Sequence, residues 1–256
     1  MAVSGSSMVK AVSHLPETGA LSQAQLTAWL AALARHRTRD EIHQLSRALQ
    51  VIDEAHGDEE VAGGLQHRLA LVQTADILDR LKLDTPTLLA ALLADLPENR
   101  LELAAEFGEQ VRRMLRDLAR IRTVAVSGSG ETDEKQSENL RRMLLGLADD
   151  VRVVLVVLAR RLQLMRVLKY LDEAEQKRIA GITQRIHAPL ANRLGIWQLK
   201  WELEDLSLRY LRPDEYRAIA RALEEKRVER EVFIRQVIER LQASCRDHGI
   251  EARISG

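Results

Sequence analysis

Leu26, Trp29, Leu30 and Leu33 recur at helical spacing and predict a first helix over residues 23–36. Asp40 then reads as the cap of a second helix carrying Ile42, Leu45, Leu49 and Ile52, with Glu41 adding charge to its first turn. Residues 56–64 are acidic and glycine-containing, a loop signal. Leu69, Val72, Ala75, Ile77, Leu78 and Leu81 line one side of a third helix over 65–81. Thr85, as a capping hydroxyl, and Pro86, at the first helical position, open the next one. Its run 88–93 is apolar all round, which marks a helix buried in the middle of the fold. It delivers two carboxylates, Asp95 and Glu98, at its C-terminal end.

Beyond it, Leu103, Phe107, Val111, Leu115 and Leu118 predict a helix over 101–122, with Arg112, Arg113, Arg116 and Arg120 on its other side. A Gly/Ser-rich loop follows at 126–137, then a short helix over 137–148. Residues 151–171 begin β-branched enough to mimic a strand, but the pattern runs on without a turn signal, so the reading is helical. A helix over 173–187, a turn at 189–195, a helix with Trp197 and Trp201 and a last long helix over 213–246 complete the series. The tail 250–256 alternates like the opening of a strand. No internal repeat is visible, and the fold class is all-α.

Composition narrows the function classes. Lys+Arg and Asp+Glu both number 38, so the formal net charge is zero, which argues against a generic polyanion binder, since that needs a basic surplus. Aromatic residues are 3%, too few for stacking platforms on single-stranded nucleic acid. The single cysteine, Cys245, rules out an internal disulfide and a cysteine zinc ribbon. No stretch approaches the roughly 18 apolar residues of a transmembrane helix. The N-terminus has no apolar signal core. A cytoplasmic protein without a membrane partner is expected.

The candidate chemistry sits on three strongly apolar helices that carry His67, then Asp95 and Glu98, then Arg160 and Arg161. Polar residues on such helices converge in a bundle interior. His67 and Asp95 are both possible metal ligands, but two ligands do not hold a metal, and no third is evident from spacing. The competing reading pairs Asp95 with an arginine, since a buried carboxylate needs a cationic partner. The Gly-Ser-Gly at 128–130 lacks the lysine of a phosphate loop and reads as linker. Trp197 and Trp201 read as core.

Residues 85–96 (TPTLLAALLADL), 157–171 (VLARRLQLMRVLKYL) and above all 188–205 (APLANRLGIWQLKWELED) resemble the RelA/SpoT family, which makes and hydrolyses the alarmone (p)ppGpp. The resemblance covers about residues 40–256. In that family an N-terminal HD-type helical hydrolase domain precedes a nucleotide-pyrophosphokinase domain. Residues 1–20, Ser/Gly-containing and aperiodic, are expected to be a disordered leader; the resemblance implies an HD-domain-like helical bundle over 21–195, within which the Gly/Ser-rich stretch at about 123–137 is expected to be a flexible loop. A C-terminal helical extension over 196–256 would lead to a synthetase domain absent from this chain, which stops about where that domain would begin.

Carried over residue by residue, the resemblance implies a broken hydrolase site. The family's first metal-binding histidine falls on His67 and is retained. Its His-Asp pair falls on Ala94 and Asp95, and the following Glu-Asp pair on Glu98 and Asn99. The distant Asp ligand falls on Arg160, the His-Asn after it on Gln163 and Leu164, and a threonine near the nucleotide on Val167. The Arg-Lys that would hold guanine aligns loosely with Asp58 and Glu59. Two of the family's four metal ligands would thus be gone, so no metal and no cofactor is expected, Mn²⁺ having been lost with its ligand set.

The resemblance therefore implies a non-catalytic domain of a RelA-like GTP pyrophosphokinase, which transfers pyrophosphate from ATP to GDP or GTP. The expected role is structural or regulatory in the stringent response. Its partners would be its own synthetase domain and, only through the full-length protein, the ribosome. Two alternatives stay open. One is a surviving Mn-dependent (p)ppGpp hydrolase using His67, Asp95 and Glu98. The other is an allosteric module that binds a guanine nucleotide through Arg160, Arg161, Arg112 or Arg116. In either of the non-catalytic cases, Arg160 is expected within hydrogen-bonding reach of Asp95.

Overall fold

Several helix starts in this chain are fixed by side chains that satisfy the open backbone N–H groups. In the computed structural model, which describes residues 15–56, 60–61, 65–97, 104–127, 146, 150–248 and 250–252, Ser22 and Gln25 form a reciprocal capping box for α1 (Gln23–Leu33). Helix α2 (Arg39–His56) is capped in the same way by Thr38, not by Asp40. The Thr38 hydroxyl accepts from the Glu41 N–H at 3.3 Å, and the Glu41 carboxylate accepts from the Thr38 N–H at 2.8 Å. A two-residue antiparallel pair, β1 (Glu60–Val61) with β2 (Leu65–Gln66), stands where an acidic loop is expected from sequence.

Helix α3 (His67–Arg80) then packs against α4 (Thr85–Leu92) and α6 (Val151–Val167), and α4 also touches α2 and α5 (Glu109–Ser127). The cap of α4 is Asp84, one residue ahead of the threonine favoured from sequence, and it accepts from the Thr87 N–H at 3.2 Å. Every residue from 88 to 93 is at most 1% exposed, as an all-round apolar helix requires.

Several boundaries differ from the periodic pattern. The helix expected over 101–122 is split: a 3₁₀ turn at 104–107 ends at Gly108, whose φ of +92° suits glycine, and α5 begins after it. Helix α5 continues to Ser127, into the stretch expected to be loop. Helix α6 stops at Val167 and passes through a 3₁₀ turn, Leu168–Tyr170. Helix α7 (Glu173–Ile182) widens into a π-turn, Thr183–His187, and continues as α8 (Ala188–Arg193) through the residues expected to form a turn. Pro189 has no N–H for the carbonyl of Arg185, and a wider turn just ahead of it accommodates that missing bond.

Leu15 and Leu21 are buried, and Leu21 accepts a hydrogen bond from Arg68 at 2.9 Å, so residues 15–20 are an ordered strap rather than part of a disordered leader. Helix α9 (Trp197–Leu211) buries Leu199, Leu203 and Ser207 against α6, α7 and α8. It therefore belongs to the helical body, which runs to Leu211, beyond the boundary at 195 expected from sequence. Trp197 and Trp201 are nevertheless exposed and flank the ammonium of Lys200, which lies 4.0 Å from the Trp201 ring centroid.

The second compact unit, from Arg212 onward, is built on the 35-residue helix α10 (Pro213–Asp247). Ile219, Leu223, Phe233, Val237 and Leu241 are exposed on it. Residues 250–252 form no strand. The helix expected over 137–148 lies almost wholly outside the described residues. Among the described residues no helix is long and apolar enough to cross a membrane.

Candidate functional site

Helix α4 ends at Leu92, with Leu93 as its cap, so Ala94 and Asp95 sit in the turn that follows rather than on the helix. The buried run above them fixes where that turn lies, beside the start of α3 and the middle of α6. Four side chains converge there. Arg160, from α6, grips Asp95 with both guanidinium arms: Nη1 donates to Oδ1 at 2.9 Å and Nη2 to Oδ2 at 2.7 Å. This is the contact expected from sequence.

His67, the first residue of α3, places Nε2 3.0 Å from Asp95 Oδ2. An ionised carboxylate only accepts, so Nε2 carries the proton and donates. Arg122, from α5, donates to Oδ1 at 3.2 Å, with its side chain half-exposed. Burial alone would push the Asp95 carboxyl up. The hydrogen bond from His67 and the charge and hydrogen bonds of Arg160 outweigh it and hold the group well below the usual carboxylate range.

The cluster opens on a cavity of about 330 Å³. Ala94, Gln163, Leu164 and Val167 line it, so these sequence-predicted positions do gather around His67, Asp95 and Arg160. Arg161 and His187 complete its polar wall. Gln163 is turned toward the strap: its Nε2 donates to Gln73 Oε1 at 3.0 Å, and Gln73 donates to the Pro16 carbonyl at 2.6 Å. Arg112 and Arg116 lie elsewhere, exposed on α5 and both paired with Glu109. Glu98, Asn99, Asp58 and Glu59 lie outside the described residues. Among the described residues no three His, Cys, Asp or Glu side chains come together in a way that could hold a metal ion.

Two participants escape sequence reasoning. Arg122 belongs to the same helix as the arginine stripe, but nothing in its spacing separates it from solvated neighbours. His187 is 6% exposed, and its Nδ1 has no partner at hydrogen-bonding geometry. Burial pushes its imidazole well below the ordinary range, Arg161 adds to that, and the Ile182 carbonyl offsets it in part.

A protein-family model described as HD domain matches residues 48–197. The GTP pyrophosphokinase of Escherichia coli K12 is 40% identical over 192 residues, covering 72% of this chain and 26% of its own length. That of Myxococcus xanthus is 39% identical over 189 residues, covering 72% of this chain and 25% of its own. A protein of a Synechocystis species named probable guanosine-3′,5′-bis(diphosphate) 3′-pyrophosphohydrolase is 39% identical over 211 residues, or 81% and 27%. The chain thus spans about a quarter of the length of these relatives. The helical fold, the His67–Asp95 pair at the meeting of α3 and α4, and these likenesses agree: the chain belongs to the HD-domain family and is the HD region of a RelA/SpoT-family protein.

Proposed function

We propose that this chain is the non-catalytic HD region of a RelA-like GTP pyrophosphokinase, with a structural and regulatory role toward the synthetase region of the longer protein. The observation that carries the reading is the bidentate grip of Arg160 on Asp95. A guanidinium is a permanent cation, and this one occupies both oxygens of the carboxylate that would otherwise face a divalent ion. His67 spends its Nε2 on the same carboxylate. The donor set does not fit a divalent metal, and without one no water is activated at neutral pH for attack on a phosphate ester. The test is metal content and pyrophosphate release from guanosine-3′,5′-bis(diphosphate), measured on one sample of purified chain with added Mn²⁺. Neither bound metal nor turnover is expected, and turnover above a no-protein control overturns the reading.

A second reading, a Mn-dependent hydrolase with a rearranged site, is favoured by the name of the Synechocystis relative and by the retained His67 and Asp95. Stoichiometric manganese together with turnover in the same assay would establish it.

A further inference from the structure

Among the described residues of helix α10 no side chain is buried. Its apolar residues are nonetheless in register. Ile219, Leu223, Ile234, Val237 and Leu241, 37–63% exposed, fall within about 60° of arc on a helix of 3.6 residues per turn. A stripe of this kind is the face that a helix turns to a neighbour, and such packing supplies most of a helix's stability. One exposed leucine needs no explanation, whereas an apolar line about six turns long marks an interaction surface.

The spacing also identifies the occupant. Leu223 and Val237 stand seven residues either side of Arg230, and Ile219 and Leu241 stand eleven. Across a twofold contact residue i meets j and j meets i, which is the symmetry this stripe has. We propose that α10 pairs antiparallel with α10 of a second copy of this chain, about an axis at Arg230. Leu223 then lies against Val237 of the second copy, and Ile219 against Leu241 of the second copy, each contact being made twice. Ile234 faces Lys226, whose aliphatic stem covers it while the ammonium stays in water. Arg230 meets its own copy at the axis. That polar centre costs affinity and fixes the register, as a polar residue in a coiled-coil seam does. Antiparallel helices also bring the N-terminal end of each dipole beside the C-terminal end of the other. A foreign helix would give the stripe no reason to be symmetric. The stripe is about 33 Å long and a helix about 10–12 Å wide, so each copy offers on the order of 350 Å². That is under half of the roughly 800 Å² per partner in a standard interface. The pair is therefore a concentration-dependent dimer with a Kd on the order of 10 μM, not an obligate one.

The experiment is sedimentation equilibrium of the full chain from about 1 to 200 μM. A monomer–dimer equilibrium is expected. Leu223→Glu and Val237→Lys, both at exposed positions that folding tolerates, should each weaken it at least about tenfold. An equimolar mixture of the two variants should regain dimer, because an antiparallel pair sets the new carboxylate against the new ammonium. Trp201→Lys, on the exposed face of α9, should leave dimerisation unchanged. Cys245, a free thiol, is an independent reporter: antiparallel pairing holds its two copies about 45 Å apart, so mild oxidant should not link the dimer. A monomer at every concentration, assembly beyond a dimer, undiminished dimerisation by Leu223→Glu or loss on Trp201→Lys overturns the proposal. So does a mixture that stays monomeric, or disulfide linkage through Cys245 that Leu223→Glu abolishes.

Discussion

Asp95 has three donors and one role. Its pair with Arg160 is mostly shielded, the side chains being 16% and 35% exposed, so its loss costs less than a fully buried pair and more than a surface one. Arg160→Met should lower stability by about 1–3 kcal/mol, read as a shift in the urea midpoint with unchanged slope. A loss below about 0.5 kcal/mol would mean that the pair is ornamental. The stronger prediction reverses the substitutions. Arg160→Asp alone sets a second carboxylate against Asp95 and should destabilise the chain. Combined with Ala94→His, it offers four ligands with His67 and Asp95, and Mn²⁺ should then raise the melting temperature of the double variant and not that of the wild type.

This residue-scale chemistry was largely legible in the sequence, because a lone carboxylate after an all-apolar helix must find a cation, and the family resemblance pointed to Arg160. What was not legible has a physical reason. Arg122 and His187 reach the site through the packing of α5 and the π-turn, and neither departs from the composition of its own helix.

At the scale of elements, the turn that carries Asp95 is positioned from the other end of α4. Arg37, its side chain 6% exposed, donates to Asp79 at 2.6 Å, to Thr85 Oγ1 at 2.7 Å and to the Leu83 carbonyl at 2.9 Å. The Thr85 hydroxyl in turn donates to the Glu41 carboxylate at 2.5 Å. The corner between α1 and α2 is thereby locked to the start of α4. The hydrogen bonds from the Thr85 hydroxyl and from Thr38 hold the Glu41 carboxyl down at about 2. A carboxyl depressed in the folded state stabilises the fold above its unfolded value of about 4.3 and loses that contribution as pH falls toward 2. Thermal melts between pH 6 and pH 2 should therefore show a loss of stability below about pH 4.3 that is smaller in Glu41→Gln. An identical profile for the variant would remove Glu41 from the account.

Element existence was readable from periodicity almost throughout, whereas element ends were not. Thr38 and Asp84 won the caps over Asp40 and Thr85 because each capping group must reach an N–H two or three residues on, and both winning groups stand that far ahead. Gly108 broke a pattern that apolar spacing alone would have carried straight through.

On the scale of the whole molecule, the body that ends at Leu211 and the unit that holds α10 differ in how they use apolar residues. The body buries them, while α10 leaves Leu223 and Phe233 more than 60% exposed. Balanced charge along α10 reads alike in either setting, so sequence did not distinguish them. The leader is the reverse case. Its composition suggested disorder, yet Leu15 and Leu21 are covered, the Gly19 carbonyl accepts from the Gln66 N–H at 3.2 Å, and Glu17 pairs with Lys169 at 2.8 Å. A chain shortened to begin at Gln23 should lose about 2 kcal/mol and melt roughly 4–8 °C lower, checked by calorimetry against the full chain. An unchanged melting temperature would show the strap to be passive. The strap is also linked to the cavity wall, because the carbonyl of Pro16 holds Gln73, and Gln73 holds Gln163. Residues ahead of the first helix are thus a handle on the interior. Whatever pulls the strap away, whether a protease or a neighbouring region of a longer chain, would free Gln163 in the wall of the cavity without touching it.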